Sequence, residues 1–290
     1  MTPEAVNQFC AHLSARNYSP HTSENYRLDL HLFFRAVECA PEAVTWREVD
    51  HFIRQQQRQG LSATTVNRRL NAIKRFFDYL ADERLRLEAN PVKPSHFLRT
   101  GRPLPKRLTR EQVRRLFAVI ANPMDRALFL LMLRGGLRVS EVAKLKVSDV
   151  DWEQKALLVE QGKGRKDRSV YLSADALTSL HECLRRRPLA VPDDYFFWNQ
   201  KRSRRLLTVK AIQKKIERYA QAAGIKANCH RLRHTFASNL LEEGAEVVSI
   251  RELLGHSSIA SSERYARLSN RRVKQEYLQT IRKVINKTRV

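Results

Sequence analysis

Apolar residues recur every third or fourth position through the first 90 residues. Val6, Phe9, Cys10 and Leu13 share one side of a helix within residues 3–16, and Tyr26, Leu30, Phe33 and Phe34 continue the pattern within 19–37. Thr45 predicts an N-cap, because its hydroxyl can accept from a free N–H of the first turn while Glu48, three residues on, answers the N–H of Thr45. Val49, Phe52 and Ile53 follow as the buried side of that helix. Ser62 or Thr64 opens a fourth, whose Val66, Leu70, Ile73, Phe76, Phe77 and Leu80 form one continuous apolar stripe. Four helices packed on one another are the simplest way to bury four such faces.

From residue 91 to residue 107 the periodicity fails. Pro91, Pro94, Gly101, Pro103 and Pro105 interrupt any helix, and Arg99, Arg102, Lys106 and Arg107 add charge, which predicts a basic interdomain linker able to follow a phosphate backbone and let two domains close around a duplex. Beyond it, Thr109 and Gln112 form a second capping box ahead of Val113, Leu116, Phe117 and Ile120. The apolar segment Ala127 to Leu133 reads as a buried central helix ended by Gly135 and Gly136, and RVSEVAKLKVSDVDW as a short helix and turn. Two β-rich runs, ALLVE at 156–160 and RSVYL at 168–172, flank the glycine-containing QGKGRKD and predict a hairpin. Residues 174–187, 208–223, 230–243, 246–254 and 270–286 read as helices. The fold expected is mainly α with a small antiparallel β-sheet: a helical domain over 1–90, a linker over 91–107, and an α+β domain over 108–290. The last ends in a tail helix, 270–290, whose Val273, Tyr277, Ile281 and Ile285 give a stripe suited to docking on its own chain or on a neighbour.

Charge changes the picture. The 290 residues carry a formal net charge of +24, unevenly placed: residues 1–100 hold 14 Lys and Arg against 11 Asp and Glu, residues 101–290 hold 40 against 19. A folded domain with that excess repels itself unless a polyanion lies against it, which points to nucleic acid. An acidic membrane surface fits less well, since the basic residues are spread over many elements instead of one amphipathic stripe. Apolar content of 42% excludes a disordered polycation. The longest apolar run is far short of the roughly 20 residues that span a bilayer, and the N-terminus lacks a signal pattern, so a soluble cytoplasmic, nucleoid-associated protein is expected. Cys10, Cys39, Cys183 and Cys229 form no CxxC pair and suggest neither a zinc module nor a disulfide framework.

Five short segments then stand out in order: GGLRVSE with Arg138, GKG with Lys163, HRLRH with His230 and Arg233, LLGHSS with His256, and ERY with Tyr265. Singly, each has an ordinary reading as surface arginine, solvated turn lysine, helix-ending histidine or core tyrosine. In this order, over nearly the whole chain, they resemble the tyrosine recombinase family of phage-type integrases and Xer recombinases. The resemblance implies a core-binding, SAM-like N-terminal domain and a catalytic C-terminal domain. It makes Arg138 the first catalytic arginine, Lys163 the lysine of the β-turn, His230 and Arg233 the H-x-x-R pair, His256 the second histidine and Tyr265 the nucleophile. The sequence departs from the Xer pattern where ANC precedes His230 and Tyr171 replaces a proline, and neither change removes a catalytic group.

The chemistry explains why these residue types belong together. Negative charge deepens on the nonbridging oxygens of a phosphodiester during substitution, and two planar guanidiniums, Arg138 and Arg233, can hold those oxygens. A phenol with a reference pKa near 10 needs a base, for which His230 is the candidate. The leaving 5′-oxygen needs a proton, from Lys163 or its competitor Lys166, and His256 would donate to a nonbridging oxygen. Glu141, three residues after Arg138 on one helical face, can orient it. By resemblance the intermediate is a 3′-phosphotyrosine, so rejoining requires neither ATP nor metal, and no cofactor is expected. His230 and His234, four apart and next to Cys229, invite a zinc reading, but the arginines between and beside them oppose a cation.

Candidate DNA contacts are Thr64, Asn67, Arg68, Asn71 and Lys74 on the outer side of the fourth helix, and Lys210, Lys214, Lys215 and Arg218 on an amphipathic helix whose Ile212 and Ile216 face inward. The partners implied are a double-stranded recombination site and a tetramer of this chain on it, with a second recombinase or an accessory DNA-binding protein left open. The reaction would serve integration or excision of a mobile element or resolution of DNA multimers. The rival readings are a catalytically inactive architectural protein and a type IB topoisomerase-like relaxase.

Overall fold

The computed structural model describes residues 4–84, 89–101, 107–159, 167–187, 191, 193–199, 206–255 and 266–288. The chain divides into two compact units, Met1–Pro103 and Leu104–Val290.

In the first unit, α1 (Glu4–Ala15), α2 (Pro20–Val37), α3 (Trp46–Arg58) and α4 (Ala63–Arg84) bury their predicted stripes against one another. The Ser19 hydroxyl accepts from Thr22 N–H at the start of α2, and Thr45 N–H donates to Glu48 Oε2 at 2.7 Å at the start of α3. Phenylalanines dominate the core: Phe33 meets Phe52 edge to face at 5.3 Å, and Phe9 meets Phe76 likewise at 5.6 Å. Asp29, only 2% exposed, is held by the forked guanidinium of Arg68.

Residues 91–98, which the failing periodicity assigns to the linker, pack on this unit together with Asn90. Val92 is buried, Phe97 and Leu98 join the core, and the Asn67 amide both donates to Leu98 O (2.8 Å) and accepts from Leu98 N–H (2.9 Å). The helical piece of this proline-rich segment is the single 3-10 turn Pro94–His96, too short for a repeat, so its burial leaves no periodic signal.

In the second unit, α5 (Arg110–Ala118) precedes α6 (Pro123–Arg134), which is buried along almost its whole length, as a continuous apolar run requires. Then follow α7 (Val139–Lys144), β1 (Val150–Asp151), β2 (Ala156–Val159), β3 (Arg168–Tyr171), α8 (Ala174–Arg185), α9 (Val209–Ala222), α10 (Cys229–Glu242), α11 (Val247–Leu254) and α12 (Ala266–Thr288). The strands form one antiparallel sheet in the order β1-β2-β3, with Val150 opposite Leu157 and Val159 opposite Arg168. The hairpin follows the sequence reading. The third strand adds to it: β1 is two residues long, too short for alternation to register, and only pairing with β2 defines it.

The tail helix is longer than expected, starting at residue 266, since neither proline nor glycine interrupts it between there and Thr288. It packs on its own chain. Tyr277, Ile281 and Val284 are buried against α10 and α11, Ile285 is half-buried, and the side chain of Val273 lies outside what the structure describes. The Tyr277 hydroxyl donates to Arg134 O at 3.0 Å, Arg134 Nη1 donates to Thr288 Oγ1 at 3.0 Å, and Lys287 pairs with Glu243 at 2.7 Å. Tyr277→Phe leaves that buried carbonyl unanswered and is expected to destabilise the unit by about 1–2 kcal/mol, lowering its melting temperature by roughly 2–6 °C in calorimetry. An unchanged melting temperature would show that the bond carries nothing. Among the described residues no helix is long and apolar enough to cross a membrane.

Candidate active site

The second unit gathers its arginines around one carboxylate. Arg138 caps α7, where its backbone N–H donates to Glu141 Oε2 (2.7 Å) and its Nη1 to Glu141 Oε1 (2.6 Å). From the β3 side, Arg168 donates Nη1 to Glu141 Oε1 (2.9 Å) and Nη2 to Glu141 Oε2 (2.8 Å). Arg233, on α10, lies 4.0 Å from the same carboxylate. Three guanidiniums against one carboxylate leave a cationic site in which a phosphate dianion would find the missing counter-charge.

The same three arginines hold the C-terminal end of α11, where a helix exposes carbonyls it cannot pair itself. Arg168 Nε donates to Leu253 O (3.0 Å), Arg233 Nη2 to Leu254 O (2.5 Å) and Arg138 Nη2 to Gly255 O (2.8 Å). Three successive carbonyls thus take one arginine each. Arg233 Nη1 also donates to Gly136 O. Glycine is required at both turns that bring these carbonyls in. Gly136 has φ +65, and a Cβ there would meet Phe236 Cδ1 at 2.4 Å; Gly255 has φ +61, and a Cβ there would crowd Arg168 at 3.0 Å.

These contacts shift the proton equilibria. Burial alone would raise the Glu141 pKa, but the Arg168 hydrogen bonds and charge, followed by those from Arg138, outweigh it and bring it down to about 2. Burial, then the neighbouring Arg138 charge, lowers Arg233 to about 10, still protonated near neutrality. Because the Glu141 pKa falls on folding, its contribution to stability is complete above pH 4.5 and is lost as pH falls toward 2. Glu141→Gln is therefore expected to cost on the order of 3 kcal/mol near neutral pH and progressively less between pH 4.5 and 2 in urea unfolding. A cost independent of pH would contradict the assigned network.

His230 stands one turn before Arg233 on α10, a helix capped by Asn228, whose side chain accepts from Arg231 N–H at 2.9 Å; this asparagine occupies the capping place in the departing ANC segment. His230 is exposed, and its Nε2 lies 2.9 Å from Nε2 of His234. Burial, then the charges of His230 and Arg233, lower the pKa of His234 and favour its neutral form. One ring donates to the other, so His234 can fix the orientation of His230. Among the described residues no group of three or more His, Cys, Asp or Glu could hold a metal ion.

Of the predicted catalytic residues, the fold brings Arg138 and Arg233 together and places His230 on the helix of Arg233. Lys163, its competitor Lys166, His256 and Tyr265 lie outside the described residues. Their flanks are described: Val159 and Arg168 close the hairpin on either side of Lys163, Gly255 directly precedes His256, and Tyr265 directly precedes Ala266, the first residue of α12. The sequence reading missed Arg168. Its signal was available, since Arg168 is two residues before buried Val170 on one strand, so an alternating register turns it inward. An inward arginine needs a partner. The three carbonyl acceptors carried no such signal, because every residue has a carbonyl.

The candidate DNA contacts divide. On α9, Lys210, Lys214 and Arg218 are exposed. Lys215, expected beside them on the outer face, turns instead to Asp125 at the start of α6, 2.9 Å from its ammonium, where Tyr219 also donates at 2.8 Å. The buried carboxylate, 1% exposed, draws the cation inward. On α4, Thr64 and Asn71 are exposed, Asn67 is committed to Leu98, Arg68 to Asp29, and Lys74 pairs with Asp78 at 3.0 Å.

Residues 106–272 match the phage integrase family, and residues 6–84 the phage integrase N-terminal SAM-like domain. The chain is 33% identical over 275 residues to tyrosine recombinase XerA of Pyrococcus furiosus, covering 94% of this chain and 92% of that protein. It is 33% identical over 288 residues to tyrosine recombinase XerC of Alcanivorax borkumensis, covering 95% and 93%. Among solved structures, a lambda integrase (75-356) dimer bound to a COC′ core site shares the fold with a TM-score of 0.71 at 20% identity, covering 90% of this chain and 98% of that one. A lambda integrase tetramer bound to a Holliday junction gives 0.70 at 20% identity, covering 90% and 78%.

Proposed function

The chain belongs to the phage integrase family and is a site-specific tyrosine recombinase, and on that premise we propose that Tyr265 cuts one DNA strand by forming a 3′-phosphotyrosine bond. The observation that carries the assignment is the convergence of Arg138 and Arg233 on Glu141, with His230 one turn away on α10. In this reading the two guanidiniums steady the nonbridging oxygens as the phosphorus becomes five-coordinate. His230 takes the phenolic proton, the Tyr265 oxygen bonds to phosphorus, and the bond to the 5′-oxygen breaks. Lys163, or Lys166 three residues on, supplies the proton that the leaving oxygen needs, and His256 donates to a nonbridging oxygen. The reverse step, with a 5′-hydroxyl from a second duplex, rejoins strands without ATP or metal, because the phosphotyrosine conserves the bond energy.

The DNA assignments extend this reading. The domain over 1–90 acts as the core-binding domain and the one over 108–290 as the catalytic domain, joined through the basic segment 91–107. Both contact one duplex site, and four copies of the chain assemble on two such sites. Lys210, Lys214 and Arg218 on α9 are the strongest backbone contacts, being exposed cations on one face. Thr64 and Asn71 on α4 are exposed and can meet bases, although the Asn71 amide also donates to Asn67 O (2.9 Å), whereas Asn67, Arg68, Lys74 and Lys215 must exchange an existing partner for DNA. Replacing Lys210 and Lys214 by alanine is expected to weaken binding at every sequence alike. It should also lower the slope of log affinity against log salt by about 0.9 for each lost phosphate contact. An unaltered slope would remove α9 from the interface.

The experiment that tests the function incubates the protein with a nicked duplex site. A denaturant-resistant adduct is then sought, and the attached peptide is identified by mass. An adduct on the peptide containing Tyr265 is the expected result, and its absence would leave a DNA-binding protein without this chemistry. Exchange of strands between two sites by the purified chain alone then separates recombination from relaxation by a monomer.

A further inference from the structure

We infer that Arg168 is a positioning residue for the cleavage reaction, acting through Glu141 on Arg138 and through Leu253 on the end of α11. It rests on the proposed function but concerns a residue to which that reading gives no part.

Arg168 opens β3 opposite Val159, so it is the first paired position after the segment that carries Lys163. Its side chain is 10% exposed, and all three guanidinium nitrogens are engaged. One edge grips both oxygens of Glu141, and the remaining nitrogen reaches Leu253 O across the interior. Two-point contact fixes the plane of the carboxylate as well as its distance, which a single hydrogen bond does not. Arg138 uses that same carboxylate, through its backbone N–H and its Nη1. The position of the Arg138 side chain is therefore set by an anion that Arg168 holds in place.

The second attachment has its own consequence. Leu253 is the penultimate residue of α11, and the chain leaves that helix through Gly255 into His256. Arg168 packs so closely beneath Gly255 that a Cβ would press on its Cδ and Nε. One side chain therefore links the hairpin of Lys163, the partner of Arg138 and the origin of the His256 segment. Arg233 and Arg138 also bond carbonyls at the end of α11 and just past it, but both must turn donors toward a phosphate to act, whereas every guanidinium nitrogen of Arg168 is already engaged by the protein, so it can stay put throughout.

The test uses the full-length protein, a nicked duplex with an ordinary scissile phosphate, and the same duplex with a neutral methylphosphonate there. A neutral centre develops less negative charge and depends less on a well-aimed guanidinium. Arg168→Met is expected to slow adduct formation about 100-fold on phosphate but less than about 5-fold on methylphosphonate, with DNA affinity within about threefold of the parent. Arg168→Lys, which keeps charge without the fork and preserves folding should the methionine variant not fold, is expected to lose about 10-fold on phosphate with the same sparing of methylphosphonate. Equal losses on both substrates would reduce Arg168 to a structural ion pair, and parent-like rates would remove it from the reaction; either result overturns the inference. If the parent protein itself forms no adduct at Tyr265, the proposed function fails instead, so the two failures are distinct.

Discussion

Tyr265→Phe is expected to leave no detectable covalent protein–DNA adduct and no strand exchange, while DNA affinity stays within about twofold of the parent. Phenylalanine keeps the ring and deletes the only atom that bonds to phosphorus, so the loss is of chemistry and not of binding. In rate it should exceed about 10⁵-fold, because no slower route through the same intermediate remains. Three other tyrosines of the same unit are poor substitutes. Burial raises the pKa of Tyr171, of Tyr219, whose hydroxyl donates to Asp125, and of Tyr277, whose hydroxyl donates to Arg134 O. A raised pKa means less phenolate, and a hydroxyl already donating inward has no proton to hand to a base beside DNA. Gel resolution of denatured reactions with a nicked duplex measures this directly. An adduct surviving in the phenylalanine variant would sink the assignment of the nucleophile.

Arg233→Lys is the second large effect. Arg233 is buried and spans Gly136 O and Leu254 O with two nitrogens, so its fork meets two places at once. Lysine offers one ammonium in place of that fork, and loss of a single aimed donor at a charge-developing centre costs about 10²–10³ in rate. The substitution also brings a pH dependence that arginine lacks. The burial and neighbouring Arg138 charge that lower the Arg233 pKa to about 10 act on lysine too, whose reference value near 10.4 leaves less margin above neutrality. The variant should therefore lose further activity as pH rises through and above neutrality, where the parent does not. Single-turnover adduct formation across pH 6 to 9 tests both parts. A lysine variant within about tenfold of the parent at every pH would mean that Arg233 does not face the reacting phosphate.

Much of the molecule could be read before folding. The helices of the first unit, the buried α6, the β2–β3 hairpin and the α9 amphipathicity each arise from a local repeat of apolar residues, and a local repeat survives in the sequence. Capping at Thr45 and Thr109 was legible for the same reason, both partners of each box being three residues apart. Arg138 and Arg233, which the fold brings together at Glu141, could also be named in advance, since they sit in short segments whose order marks the family.

Contacts between distant segments decided everything else. Arg168 and Glu141 are 27 residues apart, and Leu253 is 85 beyond Arg168, so no spacing announces that they meet. Lys215 turned inward because Asp125, 90 residues away, is buried beneath it, an electrostatic demand invisible on the helix that carries the lysine. The two-residue β1 exists only because β2 offers it hydrogen bonds, and residues 90–98 pack on the first unit because Val92, Phe97 and Leu98 meet its core while Asn67 matches a backbone amide and carbonyl there. Periodicity and capping are properties of neighbouring residues and belong to the sequence. Pairing of buried charges and filling of orphaned carbonyls need atoms from several elements at once, and only the tertiary structure supplies them.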